Sequence, residues 1–157
     1  MAIVSTNGRG TTAEAADAAL RIEIPPDARC SRAVRERITT YALSHGVAAY
    51  DASEFVTAVS EAVANAVEHS RTLRTIEVSC SLAGGRLTAS VVDYGIGFSP
   101  ELLRVPRPPD PLAERGRGLP IMRQCSHFLA IDSVPGAGTS VTLGRYLDED
   151  DGRMLAS

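Results

Sequence analysis

Glu61 and Asn65 stand four residues apart in the run Ser60-Glu-Ala-Val-Ala-Asn-Ala-Val-Glu-His69. On a helix that spacing puts a carboxylate and an amide on one face, about 6 Å apart along the axis. An amide oxygen is a hard, neutral ligand suited to Mg²⁺, with phosphate oxygens and water completing the octahedron. The carboxylate can orient an attacking hydroxyl or water and accept its proton. In phosphoryl transfer such positioning matters more than base strength. Asp93 closes an apolar run (Ala89, Val91, Val92), where its side chain can face a pocket. Its carboxylate can accept a hydrogen bond from the exocyclic amine of adenine. Guanine presents a carbonyl there, so Asp93 predicts a preference for ATP over GTP.

Glycines follow these side chains. Gly95 and Gly97 allow a turn with positive φ and a close approach of the backbone to a nucleotide. Gly116 and Gly118, with Leu119, open a later helix whose free N–H groups and positive dipole end favour phosphate. Arg115 and Arg117 can add charge-assisted hydrogen bonds. Gly138-Thr139 enters the last strand, and the Thr139 hydroxyl can reach the adenine pocket directly or through water. Each piece also has an ordinary reading: a solvated helix face, an Asp/Gly turn, a hairpin. His69, one turn beyond Asn65, reads as a helix-end histidine favoured by the negative dipole end, since nothing is spaced to join it as a metal ligand.

The elements that position these groups follow from periodicity. Leu20 to Ile24 alternates as a short strand stopped by Pro25-Pro26. Cys30 to His45 has helical spacing, with Ser31 as N-cap and Gly46 as the stop. A second helix runs from Asp51 to His69. Phe55, Val56, Val59, Val63, Ala66 and Val67 form its apolar face, with Glu61 and Asn65 on the face opposite. Strands at 75–82 and 87–93 flank Gly84-Gly85, a hairpin signal. Leu119 to Cys125 is a short helix, and strands at 128–134 and 139–147 form a second hairpin. Helices inserted between hairpins predict an α+β fold. The expected architecture is a two-layer sandwich with a mixed, mostly antiparallel sheet and helices on one face. Five prolines between Phe98 and Gly116 exclude most regular structure there, and the bracketing glycines suggest a mobile lid.

The chain of 157 residues reads as one domain over 19–147, between a polar tail (1–18) and an acidic tail (148–157). A net charge of −3 gives no argument for a duplex-binding surface. Three scattered cysteines without metal spacing suit a reducing cytoplasm, and no segment reaches membrane-spanning length. All sixteen basic side chains are arginine. The absence of lysine excludes a P-loop, a eukaryotic-type kinase and Schiff-base chemistry.

Taken in order, Glu61-x-x-x-Asn65, Asp93-x-Gly95-x-Gly97, Gly116-x-Gly118 and Gly138-Thr139 resemble the GHKL ATPase superfamily, which includes gyrase and the sensor histidine kinases. The phrases around Asn65 and from Glu114 to Arg123 look like the bacterial anti-sigma-factor serine/threonine kinases. The resemblance covers roughly Leu20 to Leu147 and implies a Bergerat-type sandwich binding Mg-ATP beneath a lid. It matches Glu61 to the catalytic carboxylate, Asn65 to the magnesium ligand and Asp93 to the adenine reader. It further implies a cytoplasmic regulator that sequesters a sigma factor and phosphorylates an antagonist protein on serine or threonine. A homodimer is the expected assembly, with neither nucleic acid nor membrane as a direct partner. The alternative is an ATP-binding interaction module of the same fold with little kinase activity. A detached sensor-kinase domain fits less well, because Glu68 stands where those proteins usually carry a basic residue.

Overall fold

The computed structural model describes residues 19–99 and 118–148. The polar tail (1–18), all of the acidic tail except Asp148, and almost all of the expected lid, with Arg115, Gly116 and Arg117, lie outside the described residues. Strand β1 (Leu20–Ile24) leads through a short 3₁₀ turn (Ala28–Cys30) into α1 (Ser31–Ser44) and α2 (Ala49–His69). Hairpin β2 (Ile76–Ala83) and β3 (Arg86–Asp93) follows, then α3 (Gly118–Cys125) and hairpin β4 (Phe128–Val134) and β5 (Gly138–Tyr146). The strands form one five-stranded sheet in the order β1-β2-β3-β5-β4. Every pairing among them is antiparallel, so the expected mixed character is absent from the described sheet. The long helical excursion from β1 to β2 returns the chain in the opposite direction, which removes the parallel crossover that a mixed sheet needs.

Period-2 alternation builds the core. Ile22 and Ile24, then Ile76, Val78 and Cys80, then Leu87, Ala89 and Val91, then Val141 and Leu143 are buried on one face. Helix α2 lays Phe55, Ala58, Val59, Ala62, Val63 and Ala66 into that face. Burying each Val or Phe there contributes about 1.5–3 kcal/mol, and the alanines let helix and sheet approach closely. The opposite sheet face carries Ser79, Ser81, Thr88 and Ser90, all half-buried.

Local signals mostly act as expected. Gly84 and Gly85 adopt φ of +57° and +68°, the conformation that a tight two-residue hairpin requires. Gly46 ends α1 with φ +81°. Ser31 is the first residue of α1 rather than its cap. The capping carboxylate is Asp27, which accepts the Arg29 N–H at 2.9 Å and starts the 3₁₀ turn.

Candidate functional site

The site begins with a register. β3 pairs with β5 so that Asp93 faces Thr139, and β5 pairs with β4 so that Thr139 faces Ser133. The alternation that buries Leu87, Ala89 and Val91 carries Asp93 onto the helix-facing side, where it is 7 % exposed. A row of three polar side chains therefore crosses one end of an otherwise apolar face. Asp93 accepts the Gly95 N–H at 3.0 Å. Burial raises the pKa of its carboxyl, while the backbone N–H groups of Gly95 and Thr139 pull it the other way. The Thr139 and Ser133 hydroxyls lie 2.8 Å apart, and Ser133 also accepts the Phe98 N–H at 2.9 Å.

The glycines divide into two kinds. Gly97 has φ +61°, as positive-φ reasoning expects. Gly95 is not a positive-φ position. Its demand is for space, because a Cβ there would lie 2.1 Å from the Ser70 carbonyl oxygen. The Ile96 N–H donates to that same oxygen at 3.0 Å, fastening the glycine loop to the end of α2. Gly138 is likewise pressed onto β3, with φ +103° and a Cβ position 2.1 Å from the Asp93 carbonyl.

Glu61 and Asn65 do lie on one face of α2, but that face is not simply solvated. Both side chains are half-buried beneath the start of α3. A Cβ on Gly118 would meet Asn65 Oδ1 at 3.2 Å and Glu61 Oε2 at 3.3 Å. The missing side chain lets the helix N-terminus, with its free N–H groups, settle directly over the carboxylate and amide.

A cavity of about 450 Å³ joins these parts. Asn65, Asp93, Gly97, Gly118, Leu119 and Thr139 all line it, and its volume suits a nucleotide-sized ligand. Glu61 sits beside Asn65 rather than on the cavity wall, and Gly95 shapes the loop from behind. Sequence reasoning missed the lining residues Ile96, Met122, Ile131 and Arg71, and Ser133 behind Thr139, and it read His69 as structural although His69 lines the cavity. Ser133 had a signal: it continues the inward series Leu129, Ile131 as a hydroxyl. Arg71 had none.

Magnesium coordination passes a test of chemistry. Among the described residues no group of three or more histidine, cysteine and acidic side chains could hold a metal on its own. Asn65 would supply one neutral oxygen, leaving most positions to phosphate and water, which is how Mg²⁺ is usually held. The cysteines are free, and burial pushes the Cys80 thiol up to about 12 and the Cys125 thiol upward as well. No helix among the described residues is long and apolar enough to cross a membrane.

The antiparallel sheet, the covering helices and the cavity between them define an ATP-binding domain of the Bergerat type. The chain belongs to the histidine kinase-like ATPase domain family, whose pattern matches residues 24–145. It is 31 % identical over 103 residues to the anti-sigma F factors of Thermoanaerobacter sp. (strain X514) and Thermoanaerobacter pseudethanolicus (strain ATCC 33223 / 39E), covering 62 % of this chain and 72 % of each relative. The RsbU and RsbW domains of Rv1364c from Mycobacterium tuberculosis superpose with a TM-score of 0.64 at 27 % identity, over 82 % of this chain and 32 % of that protein. The Erythrobacter litoralis EL346 blue-light activated histidine kinase shares the fold, with a TM-score of 0.50 at 20 % identity, over 76 % of this chain and 42 % of that one. The GHKL resemblance of the motifs therefore holds, and so does the expected α+β architecture.

Proposed function

We propose that this chain is an ATP-dependent anti-sigma factor with serine/threonine protein kinase activity. The observation that carries the reading is the convergence of Glu61, Asn65 and Gly118 at one end of a cavity whose other end holds Asp93 and Thr139. A purine held at Asp93 directs its triphosphate along α2 toward Asn65 and the start of α3. Asn65 would hold Mg²⁺, which neutralises charge on the phosphates when bound. Glu61 orients a serine or threonine hydroxyl of an antagonist protein and accepts its proton. The new O–P bond forms as the γ-phosphorus separates from ADP. Similarity to anti-sigma F factors supports a sigma factor as the second partner, with ATP occupancy deciding which protein is bound. We place this exchange in the cytoplasm and on a homodimer. The phosphate adds negative charge to the antagonist surface and so releases it.

The test is transfer of labelled phosphate to the antagonist by wild type and Glu61→Ala. The variant should bind ATP with little change, while transfer falls by about 10²-fold or more. Equal transfer rates would remove Glu61 from the mechanism. An inactive wild type that binds ATP and a sigma factor would leave the interaction module as the correct reading.

A further inference from the structure

Arg71 is the single non-glycine residue with positive φ among the described residues, at +51°. It directly follows Ser70, the C-terminal cap of α2, at the position where helices usually place glycine because only glycine is unstrained there. The preceding residue is also unfavourable: Ser70 is 2 % exposed, and its hydroxyl has no hydrogen-bond partner among the described residues. Local cost is thus concentrated at two adjacent residues, and such cost persists where the surroundings impose it and function uses it. The surroundings are clear. The Ser70 N–H donates to the Ala66 carbonyl at 3.1 Å, and the Ser70 carbonyl accepts the Ile96 N–H at 3.0 Å. Gly95 packs against the Ser70 backbone. The adenine-reading loop therefore holds residue 70 from one side and α2 holds it from the other, and residue 71 turns onto the cavity rim.

The side chain at that point lines the cavity together with His69, Ile96 and Asp93. It is exposed, and it is the one permanently charged cation among the described lining residues. Its place is at the Asp93 end. Asn65 lies four residues before the end of α2, about 6 Å back along the helix axis, whereas Arg71 follows the residue that is fastened to Gly95 and Ile96. An arginine here is nearer the purine than the triphosphate, and a guanidinium stacks well on an aromatic face.

We propose that Arg71 is a nucleotide-binding residue that closes over the exposed face of the purine held at Asp93. This rests on the ATP-binding reading above and adds to it the base-covering group. It explains why arginine occupies a glycine position. The bare backbone would be satisfied by glycine, but glycine cannot cover a base.

Calorimetric titration of wild type and Arg71→Gly with ATP, ADP and AMP tests the assignment, with melting temperature measured alongside. Arg71→Gly should melt at the same or a higher temperature, because glycine adopts positive φ without strain. Its affinity should fall by about fivefold, by the same factor for all three nucleotides and at low and high salt alike. Unchanged affinity would overturn the inference. So would a loss that grows with phosphate number, which would make Arg71 a phosphate ligand, or a loss accompanied by a lowered melting temperature. A wild-type chain that binds none of the nucleotides would sink the ATP-binding reading and this inference with it. Tight wild-type binding matched by the variant sinks this inference alone.

Discussion

Asp93 carries a cost of burial alongside the recognition role proposed for it. Its carboxyl is buried at the end of β3 and titrates above its ordinary value of 3.8, because burial disfavours the charged form. A raised folded pKa means that the folded chain holds this proton more tightly than the unfolded chain does. The resulting stabilisation is complete below 3.8 and is lost as pH rises through the folded value. Chemical denaturation of wild type and Asp93→Asn across the acid range should show this. The stability advantage of wild type should shrink from about pH 3.8 upward and level off above the folded pKa. The proposed adenine recognition has the opposite sign, since only the carboxylate accepts the exocyclic amine without competition. ATP affinity of wild type should therefore weaken on mild acidification at a higher pH than for an exposed aspartate. Gly118 teaches a related lesson. Its role as a gap above Asn65 and Glu61 is a fact about neighbours 53 and 57 residues away, which no local motif contains.

Among the elements, α3 is the piece whose placement completes the site, and Arg145 is what secures its far end. Arg145 lies on the helix-facing side of β5, 6 % exposed, at the opposite end of the sheet from Thr139. Its Nε donates to Asp51 Oδ1 at 2.9 Å, in the first turn of α2, and Nη2 forms an ion pair with the same oxygen at 2.9 Å. Its Nη1 donates to the Cys125 carbonyl at 3.0 Å, where α3 ends. One guanidinium thus joins β5 to the start of α2 and the finish of α3. Truncating one partner leaves a poorly solvated charge behind, which costs about 3–5 kcal/mol when the pair is buried. Arg145→Ala should lower the unfolding free energy by roughly that amount in a urea titration. A change below about 0.5 kcal/mol would mean that water already screens the pair. The helices and hairpins themselves were legible to within two residues, because 3.6- and 2-residue periodicities are local properties. The Arg145 clamp was not legible, since a charged residue in a strand gives no sign of which helix it will meet.

For the whole molecule, the candidate nucleotide site and the hydrophobic core share α2. The face bearing Phe55, Val59 and Val63 packs on the sheet, while the adjoining face bears Glu61 and Asn65. Loss of core packing should therefore be partly reversible by ligand. Phe55 is fully buried, and Phe55→Ala should cost about 3–5 kcal/mol by transfer and cavity terms together. A domain of this size has about 5–15 kcal/mol in hand, so the variant should fold but melt early. Mg-ATP at about 100 times its dissociation constant should restore about 2.7 kcal/mol, read as a rise in melting temperature. A variant indifferent to ATP would show that the repacked core no longer holds the nucleotide site in its binding geometry.

Residue types and spacing alone determined the chemistry on offer: a carboxylate and an amide on one helix turn, an acid closing an apolar strand, and glycines at the loops. They also determined the α+β class and excluded every lysine-dependent mechanism. Tertiary structure decided which of these groups meet. The antiparallel register set Asp93 against Thr139 and Ser133, the packing of α3 brought Gly118 over Glu61 and Asn65, and the fastening of Ser70 to Ile96 turned Arg71 onto the rim. The physical reason is range. Periodicity and turn chemistry act within a few residues of chain, whereas strand register and helix docking are chosen by contacts between segments tens of residues apart.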